Sequence, residues 1–552
     1  MIAEPFPGIF DETTVRLRQN HLFYGDNLTI MRRMPSASID LIYLDPPFNS
    51  QRNYNLIYKR LTGQPVPEQE EAFCDVWEMD QEKEEMARHM PSVLRTYDVP
   101  EDVVMFWEAW IKALRHTQPR LLAYLVYMTY RLFEMRRILR PTGAIYLHCD
   151  PTASHYIKVI MDGVFGHANF RNEISWKRTS THNSAKRYAP VHDVILYYTK
   201  TSKYTWNGAF TELDPGYVDR FYRFSDANGR KYRLSDLTAA QTRNGESGRP
   251  WRGINPTDVG RHWAAVHATL EQWDREGRIH WPKGGGKPSF KRYLDEMRGQ
   301  PAQSIWTDVP VIGAQANERL GYPTQKPIAL LQRIITASTN PGDAVFDPFA
   351  GCGTAVYAAH LLDRKWIGCD IAILSVRIVR DVLALRYGLN EGEHYEVSGV
   401  PLSVDGATEL FEHDPRQFQH WSVELSGGFA STKHTGDRGI DGRIHFETKD
   451  GLRNMVISVK GGHVNPSFVR ELAGTVQQER QDGTEMGGFI CLQPVTKGMR
   501  EAAASAGMFY YQGKDYERIQ LRTVEDLLAG RAFDTPSKVQ TLGWTKQPLL
   551  PF

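Results

Sequence analysis

The chain has 552 residues, enough for about two to four domains. Hydrophobic residues make up 41% and charged residues 24% of the sequence, a balance typical of a globular protein and not of a disordered or fibrous chain. The formal net charge of +1 excludes a chain-wide basic surface, so any surface that attracts a polyanion must be local.

The sequence carries no sign of a membrane or secretory segment. No apolar run is long enough to span a bilayer, and the first residues lack the basic and then apolar pattern of a signal peptide. The five cysteines, at positions 74, 149, 352, 369 and 491, form no C-x-x-C pair, which argues against a zinc site and against a disulfide framework. We therefore expect a cytoplasmic protein with no membrane partner.

The first motif that could take part in a reaction follows a predicted buried strand at residues 41–44. This strand runs into Asp45-Pro46-Pro47-Phe48. Each proline fixes φ and lacks an N–H, so the loop is stiff and offers only acceptors, the Asp45 carboxylate and the Pro46 carbonyl. Both could accept hydrogen bonds from the amino group of adenine or cytosine, and the Phe48 ring offers a face for the base. A proline-rich turn with no further role is the alternative.

The segments after this loop differ in character. Residues 58–130 carry acidic and helical patterns, which predict a helical insertion. A strand predicted at residues 144–147 ends beside His148 and Asp150. Open α/β sheets place ligands at such strand ends, but a structural pair explains the two side chains equally well, and we leave them out of the candidate site.

Residues 200–321 are rich in Gly, Arg, Trp and Tyr and have few long apolar runs. Cations alternate with aromatic residues in three stretches, at 228–233, 248–253 and 260–263. Arginine can bind phosphates and guanine edges, while aromatic rings stack on bases or wedge into the duplex. We therefore expect this segment to contact double-stranded DNA, with some of its tryptophans forming a small core.

A second motif begins with a predicted strand at residues 345–347. A turn containing Gly351 and Gly353 follows and leads into a helix. Glycines let the backbone approach a ligand closely, and the start of a helix offers free N–H groups. The next strand ends in Asp370, at about the spacing at which an acidic residue binds ribose hydroxyls. Because the third glycine of the dinucleotide fingerprint is missing, the pattern fits S-adenosylmethionine better than NAD.

Together these motifs resemble the amino-group DNA methyltransferases of the β class, in which the Asp-Pro-Pro motif precedes the glycine motif. The resemblance implies an α/β fold for residues 1–390, with a Rossmann-like sheet in permuted motif order, S-adenosylmethionine as cofactor and residues 200–321 as the target-recognition region. Further matching stretches are 24–28, 137–148, 165–170 and 322–327.

The same resemblance implies a role for individual residues. It assigns catalysis to Asp45, Pro46, Pro47 and Phe48. It places Asp26 at the cofactor adenine, Asp370 at the ribose, and Lys326 and Thr324 at the methionine end. The full set of expected cofactor-binding residues is Asp26, Thr324, Lys326, Asp347, Phe349, Gly351, Gly353 and Asp370. Lys326 taken by itself would be an ordinary solvated lysine.

A second module is predicted for residues 395–552, and we expect the first to fold and act without it. Asp441 follows a glycine turn, and Lys460 ends the next predicted strand, 455–460. This order resembles the Mrr-like restriction endonucleases of the PD-(D/E)-x-K superfamily. The resemblance implies an α/β restriction-endonuclease-like fold in which Asp441 and a strand carbonyl hold Mg²⁺ and Lys460 stabilises charge at the scissile phosphate.

One position departs from the superfamily pattern. The residue two before the lysine is usually Glu, or Gln in Mrr-like proteins, and here it is Ser458. A hydroxyl is a weaker Mg²⁺ ligand than a carboxylate, and Glu424, another carboxylate in this region, is best interpreted as an ordinary surface residue. Two interpretations therefore stay open, a Mg²⁺-dependent endonuclease and a module that only binds DNA or a partner.

The target base is open in the same way. Adenine N6 and cytosine N4 are both amines that suit these acceptors, but Ser-Pro-Pro-Tyr is commoner in the N4-cytosine group, so Asp45 favours adenine. No cysteine follows a proline, as it does in cytosine-C5 methyltransferases. The sequence thus predicts a site-specific adenine-N6 DNA methyltransferase of a restriction–modification or defence system. It leaves the recognition sequence and the oligomeric state open, a homodimer included.

Overall fold

The computed structural model describes residues 20–47, 53–56, 70–74, 77–97, 99–179, 188–313, 316–320, 322, 324–431, 439–449 and 451–536. Phe48 lies outside the described residues. Two compact units divide the chain, one made of residues 208–303 and the other of the residues before and after them.

A nine-stranded sheet forms the centre of the larger unit. In spatial order its strands are Ile305–Trp306, Phe170–Lys177, His192–Thr199, Leu139–Cys149, Ile39–Leu44, Ala344–Asp347, Lys365–Asp370, Asn20–Tyr24 and Tyr395–Ser398. The strand His192–Thr199 is antiparallel to both of its neighbours, and every other neighbouring pair is parallel. The predicted α/β fold is confirmed.

The permuted order of the motifs has a direct structural consequence. The strand Ile39–Leu44 pairs in parallel with Ala344–Asp347, although about 300 residues separate them in the chain. Parallel strands end at the same edge of a sheet, so the loop that begins at Asp45 and the glycine turn that follows Asp347 lie side by side.

Helices cover both faces of this sheet, as a parallel sheet requires. Along one strand Leu41 and Tyr43 enter one hydrophobic core, while Ile42 and Leu44 enter the other, which is the alternation expected of an extended chain. The helices on the second of these cores include those of the predicted insertion. The helices of this part are Asn27–Arg33, Gln81–Thr96, Glu101–Thr117, Pro119–Ile138, Ser154–Phe165, Ile328–Ser338, Thr354–Leu361 and Ile373–Tyr387.

The smaller unit, residues 208–303, has its own core. Trp251 and Trp263 are buried there with Leu237, Leu270 and Ile279, so the expectation that some tryptophans form a small core is confirmed. Its four-stranded antiparallel sheet has the order Ile279–His280, Ser289–Tyr293, Lys231–Asp236, Phe224–Ser225, and its strand pairs are Thr238–Ala240 with Arg261–Trp263 and Phe210–Thr211 with Gln300–Pro301. Its helices are Pro215–Phe221 and His267–Arg275.

The C-terminal residues form a five-stranded mixed sheet. Its order is Phe429–Ala430, Gly442–Thr448, Gly451–Lys460, Thr484–Cys491 and Ile519–Thr523, and the last three strands are parallel. The strands Met508–Tyr511 and Lys514–Glu517 form a separate two-stranded sheet. Another two-stranded sheet, Asn53–Leu56 with Glu70–Cys74, comes from the N-terminal part of the chain. The helices here are Val404–His413, Pro415–Leu425, Pro466–Gln478, Lys497–Ala504 and Val524–Leu528.

The C-terminal residues are continuous with the nine-stranded sheet. The strand Tyr395–Ser398, which the sequence placed in the second module, pairs with Asn20–Tyr24 as the ninth strand. Gly399 follows with φ +90°, and a Cβ at this position would lie 2.0 Å from the Tyr24 carbonyl oxygen. One hydrophobic core runs from Tyr24 to Trp421 and beyond, so the two parts share buried surface. Among the described residues no helix is long and apolar enough to cross a bilayer.

Candidate active site

A cleft of about 860 Å³, counting its space open to solvent, lies where the strands Ile39–Leu44 and Ala344–Asp347 end. It brings together most of the residues predicted from the two motifs. The predicted residues in its walls are Asp45, Pro46, Pro47, Thr324, Lys326, Asp347, Phe349, Gly351 and Asp370. Asp26 and Gly353 are not part of its walls.

The two oxygens of the Asp45 carboxylate differ in their hydrogen bonding. Oδ2 accepts a hydrogen bond from the Lys326 ammonium, and the two side chains are only 15% and 9% exposed. Oδ1 is buried and has no hydrogen-bond partner among the described residues. A buried acceptor without a donor costs about 1–3 kcal/mol, so this oxygen can accept a hydrogen bond that the described residues do not supply. The sequence placed Lys326 at the methionine end of a cofactor and did not anticipate its pairing with Asp45.

The glycine turn owes its residues to two different constraints. Gly351 has φ +51° and Gly353 has φ +84°, both in the left-handed region. A Cβ at Gly353 would lie 2.7 Å from Val379 Cγ2 and 2.8 Å from the Tyr357 hydroxyl oxygen, so packing within the chain requires glycine there. Gly351 lines the cleft, and its N–H donates to Asp370 Oδ2 at 2.7 Å.

Three carboxyl groups face the cleft together with Lys326. Burial raises the pKa of Asp347 to about 8, and the nearby Asp45 and Asp370 carboxylates add to this shift. Burial also raises the pKa of Asp370 to about 6, although its oxygens accept from the N–H groups of Gly351 and Ala372. A cleft in which buried carboxyl groups outnumber the cation favours a ligand that carries positive charge.

Asp26 lies beside the cleft and is held in a separate network. It caps the helix Asn27–Arg33 and forms an ion pair with Arg131. Arg131 also donates to Asn27 Oδ1 at 2.7 Å, and Asn27 Nδ2 donates to the Pro348 carbonyl at 2.8 Å. This network connects the end of the strand Asn20–Tyr24 to the glycine turn. Arg131 was missed in the sequence because nothing distinguishes it within a long helical pattern.

His148 takes part in a buried chain of side chains behind the cleft. Tyr43, which lines the cleft, has its hydroxyl 3.0 Å from His148 Nδ1, and His148 Nε2 lies 3.1 Å from Asp193 Oδ2. Burial alone would raise the pKa of Asp193, but His148 and nearby cations hold it below its usual value. Asp150 instead caps a turn, accepting from the N–H groups of Thr152 and Ala153. His148 and Asp150 thus have different partners, and neither of these contacts is the structural pair that the sequence offered.

The residues of the C-terminal sheet that resemble a nuclease site make contacts within the fold. Asp441 Oδ2 accepts a hydrogen bond from the Val459 N–H at 2.6 Å. This carboxylate oxygen therefore binds the backbone of the strand that carries Lys460. Ser458 is buried, and the Lys460 ammonium lies 5.7 Å from the centroid of the Phe468 ring. In the described ranges no cluster of three or more His, Cys, Asp or Glu side chains could hold a metal ion. The prediction of Mg²⁺ at Asp441 is therefore not supported.

The fold and the cleft define the class of protein. A mostly parallel sheet that brings an acidic proline loop beside a glycine turn and an acidic strand end is the arrangement of a cofactor-dependent α/β transferase. Residues 39–381, more than half of the chain, match the DNA methylase family of N6 and N4 enzymes, and the chain belongs to that family. Residues 415–529 match a family described as NACHT-associated inactive restriction endonuclease 1, so the Mrr-like assignment is not confirmed.

Two DNA-modifying enzymes and one solved structure are similar to this chain. The type II methyltransferase M.EcaI of Enterobacter cloacae is 36% identical over 317 residues, covering 56% of this chain and 69% of its own length. The Mod subunit of the type III restriction-modification enzyme StyLTI of Salmonella typhimurium is 25% identical, covering 70% of this chain and 57% of its own length. The solved M1.HpyAVI–SAM complex is 15% identical with a TM-score of 0.30, covering 66% of this chain and 99% of that one.

The chain is thus a DNA methyltransferase of the restriction–modification type, as the sequence predicted. S-adenosylmethionine is the methyl donor of this family, and DNA is its substrate. The target base, the roles of individual residues and the activity of the C-terminal residues are not decided by family membership.

Proposed function

We propose that this chain transfers a methyl group to the N6 amino group of adenine at specific sites in double-stranded DNA. The observation that carries this proposal is the buried Oδ1 oxygen of Asp45, a cleft residue beside two prolines, for which the described residues provide no hydrogen-bond donor. Because prolines have no N–H to offer, this part of the wall can accept hydrogen bonds but cannot donate them from its backbone. An exocyclic amine supplies the missing donor.

The residues of the cleft fit S-adenosylmethionine. Its sulfonium and ammonium groups are positive, and Asp347 and Asp370 provide buried carboxyl groups. Gly351 has no side chain, so a ligand can approach the backbone of the cleft wall closely at this position. Asp370 ends a strand at the position where an acidic residue binds ribose hydroxyls. When bound, the cofactor supplies an electrophilic methyl group.

The chain's own contribution is to hold and orient the amine. Lys326 occupies Asp45 Oδ2, which leaves Oδ1 as the carboxylate oxygen for the amine. Oδ1 and the Pro46 carbonyl then accept the two amine hydrogens, which keeps the nitrogen lone pair out of conjugation and available for attack. The Tyr43–His148–Asp193 chain supports the end of the catalytic strand from behind. Such positioning places the reacting atoms close together before the reaction.

Adenine is favoured over cytosine by one residue, the aspartate at position 45. The DNA adenine methyltransferase YhdJ of Escherichia coli is 22% identical to this chain and supports the same choice. N4-cytosine methylation is the second candidate, since the same acceptors would hold that amine. Nucleoside mass spectrometry of duplex DNA incubated with the protein and S-adenosylmethionine decides between them. N6-methyladenine is expected, and N4-methylcytosine would contradict the proposal.

Residues 208–303 are proposed to recognise the DNA site. Phe221, Phe224 and Trp281 expose their rings, and the side chains of Arg243 and Arg249 lie at the surface. Other arginines of the cation–aromatic stretches are paired with carboxylates at the surface of the unit, as Arg252 is with Glu271 and Asp274. Replacing Arg243 and Arg249 by alanine should raise KM for DNA in a salt-dependent way, while the same change at the exposed Arg95 should not.

For the C-terminal residues we propose binding of DNA or of a partner without hydrolysis. The proposal is supported by Ser458 at a ligand position, by the hydrogen bond that Asp441 accepts from the backbone, and by the word inactive in the matched family's description. Supercoiled, unmethylated plasmid should survive incubation with Mg²⁺ or Mn²⁺. Cleavage that disappears in both Asp441→Ala and Lys460→Ala would instead establish a metal-dependent nuclease.

A further inference from the structure

The helix Pro415–Leu425, which we name the docking helix, lies within the C-terminal family match but packs against the helix Ile373–Tyr387, which follows the loop at the end of the strand Lys365–Asp370. That loop, residues Asp370–Ala372, forms part of the cleft wall. Phe418 and Trp421 of the docking helix are buried in the core that also contains Ile373 and Val376. The C-terminal part of the chain therefore packs against the helix that directly follows the proposed cofactor site.

Glu424 makes the polar contact across this junction. Its carboxyl group lies close enough to the N–H of Ile373, the first residue of the helix Ile373–Tyr387, for this N–H to oppose the rise in the pKa of Glu424. The residue that should cap this helix is Ala372, which has no side chain that can accept a hydrogen bond. The first N–H groups of a helix need an acceptor, and here a carboxyl group from a distant part of the chain lies beside them. The sequence interpreted Glu424 as a surface glutamate, and the structure overturns that interpretation.

Further polar groups meet at the same place without complete hydrogen bonding. Glu424 Oε2, Gln417 Nε2 and the Tyr24 hydroxyl are buried, and none of these atoms has a hydrogen-bond partner among the described residues. The Gln417 amide lies over Gly25, where a Cβ would be 3.4 Å from Nε2. Gly25 in turn donates its N–H to the Asp370 carbonyl at 3.0 Å. Two residues of the docking helix thus border both segments that flank the proposed adenosine site.

We propose that Glu424 is a positioning residue of the cofactor site, which fixes the start of the helix Ile373–Tyr387 and through it the loop Asp370–Ala372. This inference rests on the proposed function, because it assigns that loop to the cofactor. It gives the nuclease-like part of the chain a second role, as a structural part of the methyltransferase. Burial raises the pKa of Glu424 to about 8, with Arg377 opposing the shift, so the group is mainly a neutral hydrogen-bonding acid at neutral pH.

The test compares substitutions in the full chain by calorimetry with S-adenosylmethionine and by steady-state kinetics. Glu424→Ala should raise Kd for the cofactor about fivefold, the equivalent of a lost helix cap. KM for the cofactor should rise in parallel, while kcat and KM for DNA change less than about twofold, because the loop binds the ground state and the transition state alike. Glu424→Gln should restore the wild-type Kd, since its amide oxygen can accept the same N–H.

Controls separate the possible failures. Glu412→Ala removes an exposed carboxylate from the preceding helix and should change nothing. A folded Glu424→Ala with wild-type Kd, or a Glu424→Gln as weak as Glu424→Ala, would overturn the inference. If Glu424→Ala does not fold, Glu424→Asp, which is one methylene shorter, should still weaken binding, and wild-type affinity there would also overturn it. Asp370→Ala tests the proposed cofactor site itself, because unchanged affinity in that variant contradicts the proposed function.

Discussion

The Lys326 ammonium binds one oxygen of the Asp45 carboxylate although 281 positions separate the two residues in the chain. The pairing leaves the second oxygen, Oδ1, buried and without a donor among the described residues. A lysine in this position can orient the carboxylate, and it lines the same cleft as the glycine turn. The acidic loop and the stretch 322–327, which the sequence identified separately, are therefore joined by one ion pair, and the first predictions concern its two members.

Asp45→Ala should abolish methyl transfer and leave cofactor binding nearly unchanged. The substitution removes the acceptor for the amine, and we expect kcat to fall by at least about 10³-fold, as for the loss of a preorganised electrostatic group. Methyl transfer from labelled S-adenosylmethionine measures the first effect, and calorimetry measures the second. Near-normal turnover in a folded Asp45→Ala variant would contradict the catalytic assignment.

Lys326→Met distinguishes the two roles that have been assigned to this lysine. If Lys326 orients Asp45, kcat should fall about 10²-fold, because a misplaced catalytic group loses its alignment, while Kd for S-adenosylmethionine stays within about threefold. If Lys326 instead serves the methionine end of the cofactor, Kd should rise and kcat at saturation should recover. We expect the first result, and Lys203→Met, at an exposed lysine outside the cleft, provides the matched control.

Binding of S-adenosylmethionine should depend on pH through Asp347. Its pKa is about 8 in the folded protein, so the carboxyl group is mostly protonated at pH 7. A positively charged ligand favours the ionised form, and binding should therefore release a proton and tighten by up to about tenfold per pH unit between pH 6 and 8. Asp347→Asn should flatten this dependence. Glu424→Gln should not flatten it, although Glu424 also has a pKa of about 8.

The same group makes a prediction about stability without ligand. An aspartate in the unfolded chain ionises near pH 4, whereas folded Asp347 keeps its proton until about pH 8. Its contribution to stability is therefore fully present below about pH 4 and is lost as the pH rises towards 8. In thermal unfolding between pH 6 and 8, Asp347→Asn should lose less of its Tm than the wild type. If Tm fell equally with pH in the two proteins, the loss of stability could not be assigned to a raised pKa of Asp347.

Short motifs allowed much of the site to be predicted from the sequence. Asp45 and Gly351 were found because a few neighbouring residues carry their chemistry, and the order of the motifs indicated the adjacent strands. Contacts between distant residues could not be found in this way. Nothing near Lys326 in the chain indicates Asp45, and nothing near Glu424 indicates the start of the helix Ile373–Tyr387. Such pairs depend on which strands and helices become neighbours, and that is a property of the whole fold.

Removal of the C-terminal part is the prediction that the structure changes most. The sequence suggested that a chain ending near Val400 would fold and methylate DNA. In the structure, Phe418 and Trp421 are buried in the same hydrophobic core as Tyr24 of the nine-stranded sheet. Each large apolar side chain that loses its cover costs about 1.5–3 kcal/mol, so several such losses consume much of a domain's stability.

We therefore expect a chain ending after Val400 to unfold at a Tm at least about 5 °C below that of the full chain, and to bind S-adenosylmethionine at least about fivefold more weakly, since it also lacks Glu424. Differential scanning calorimetry and titration with the cofactor measure the two effects. Full-length Glu424→Ala is the control that separates them, because it should reproduce the loss of affinity with only a small part of the loss in Tm. A shortened chain that keeps the Tm and the affinity of the full chain would show that the shared core contributes little, and that the C-terminal part is an independent module after all.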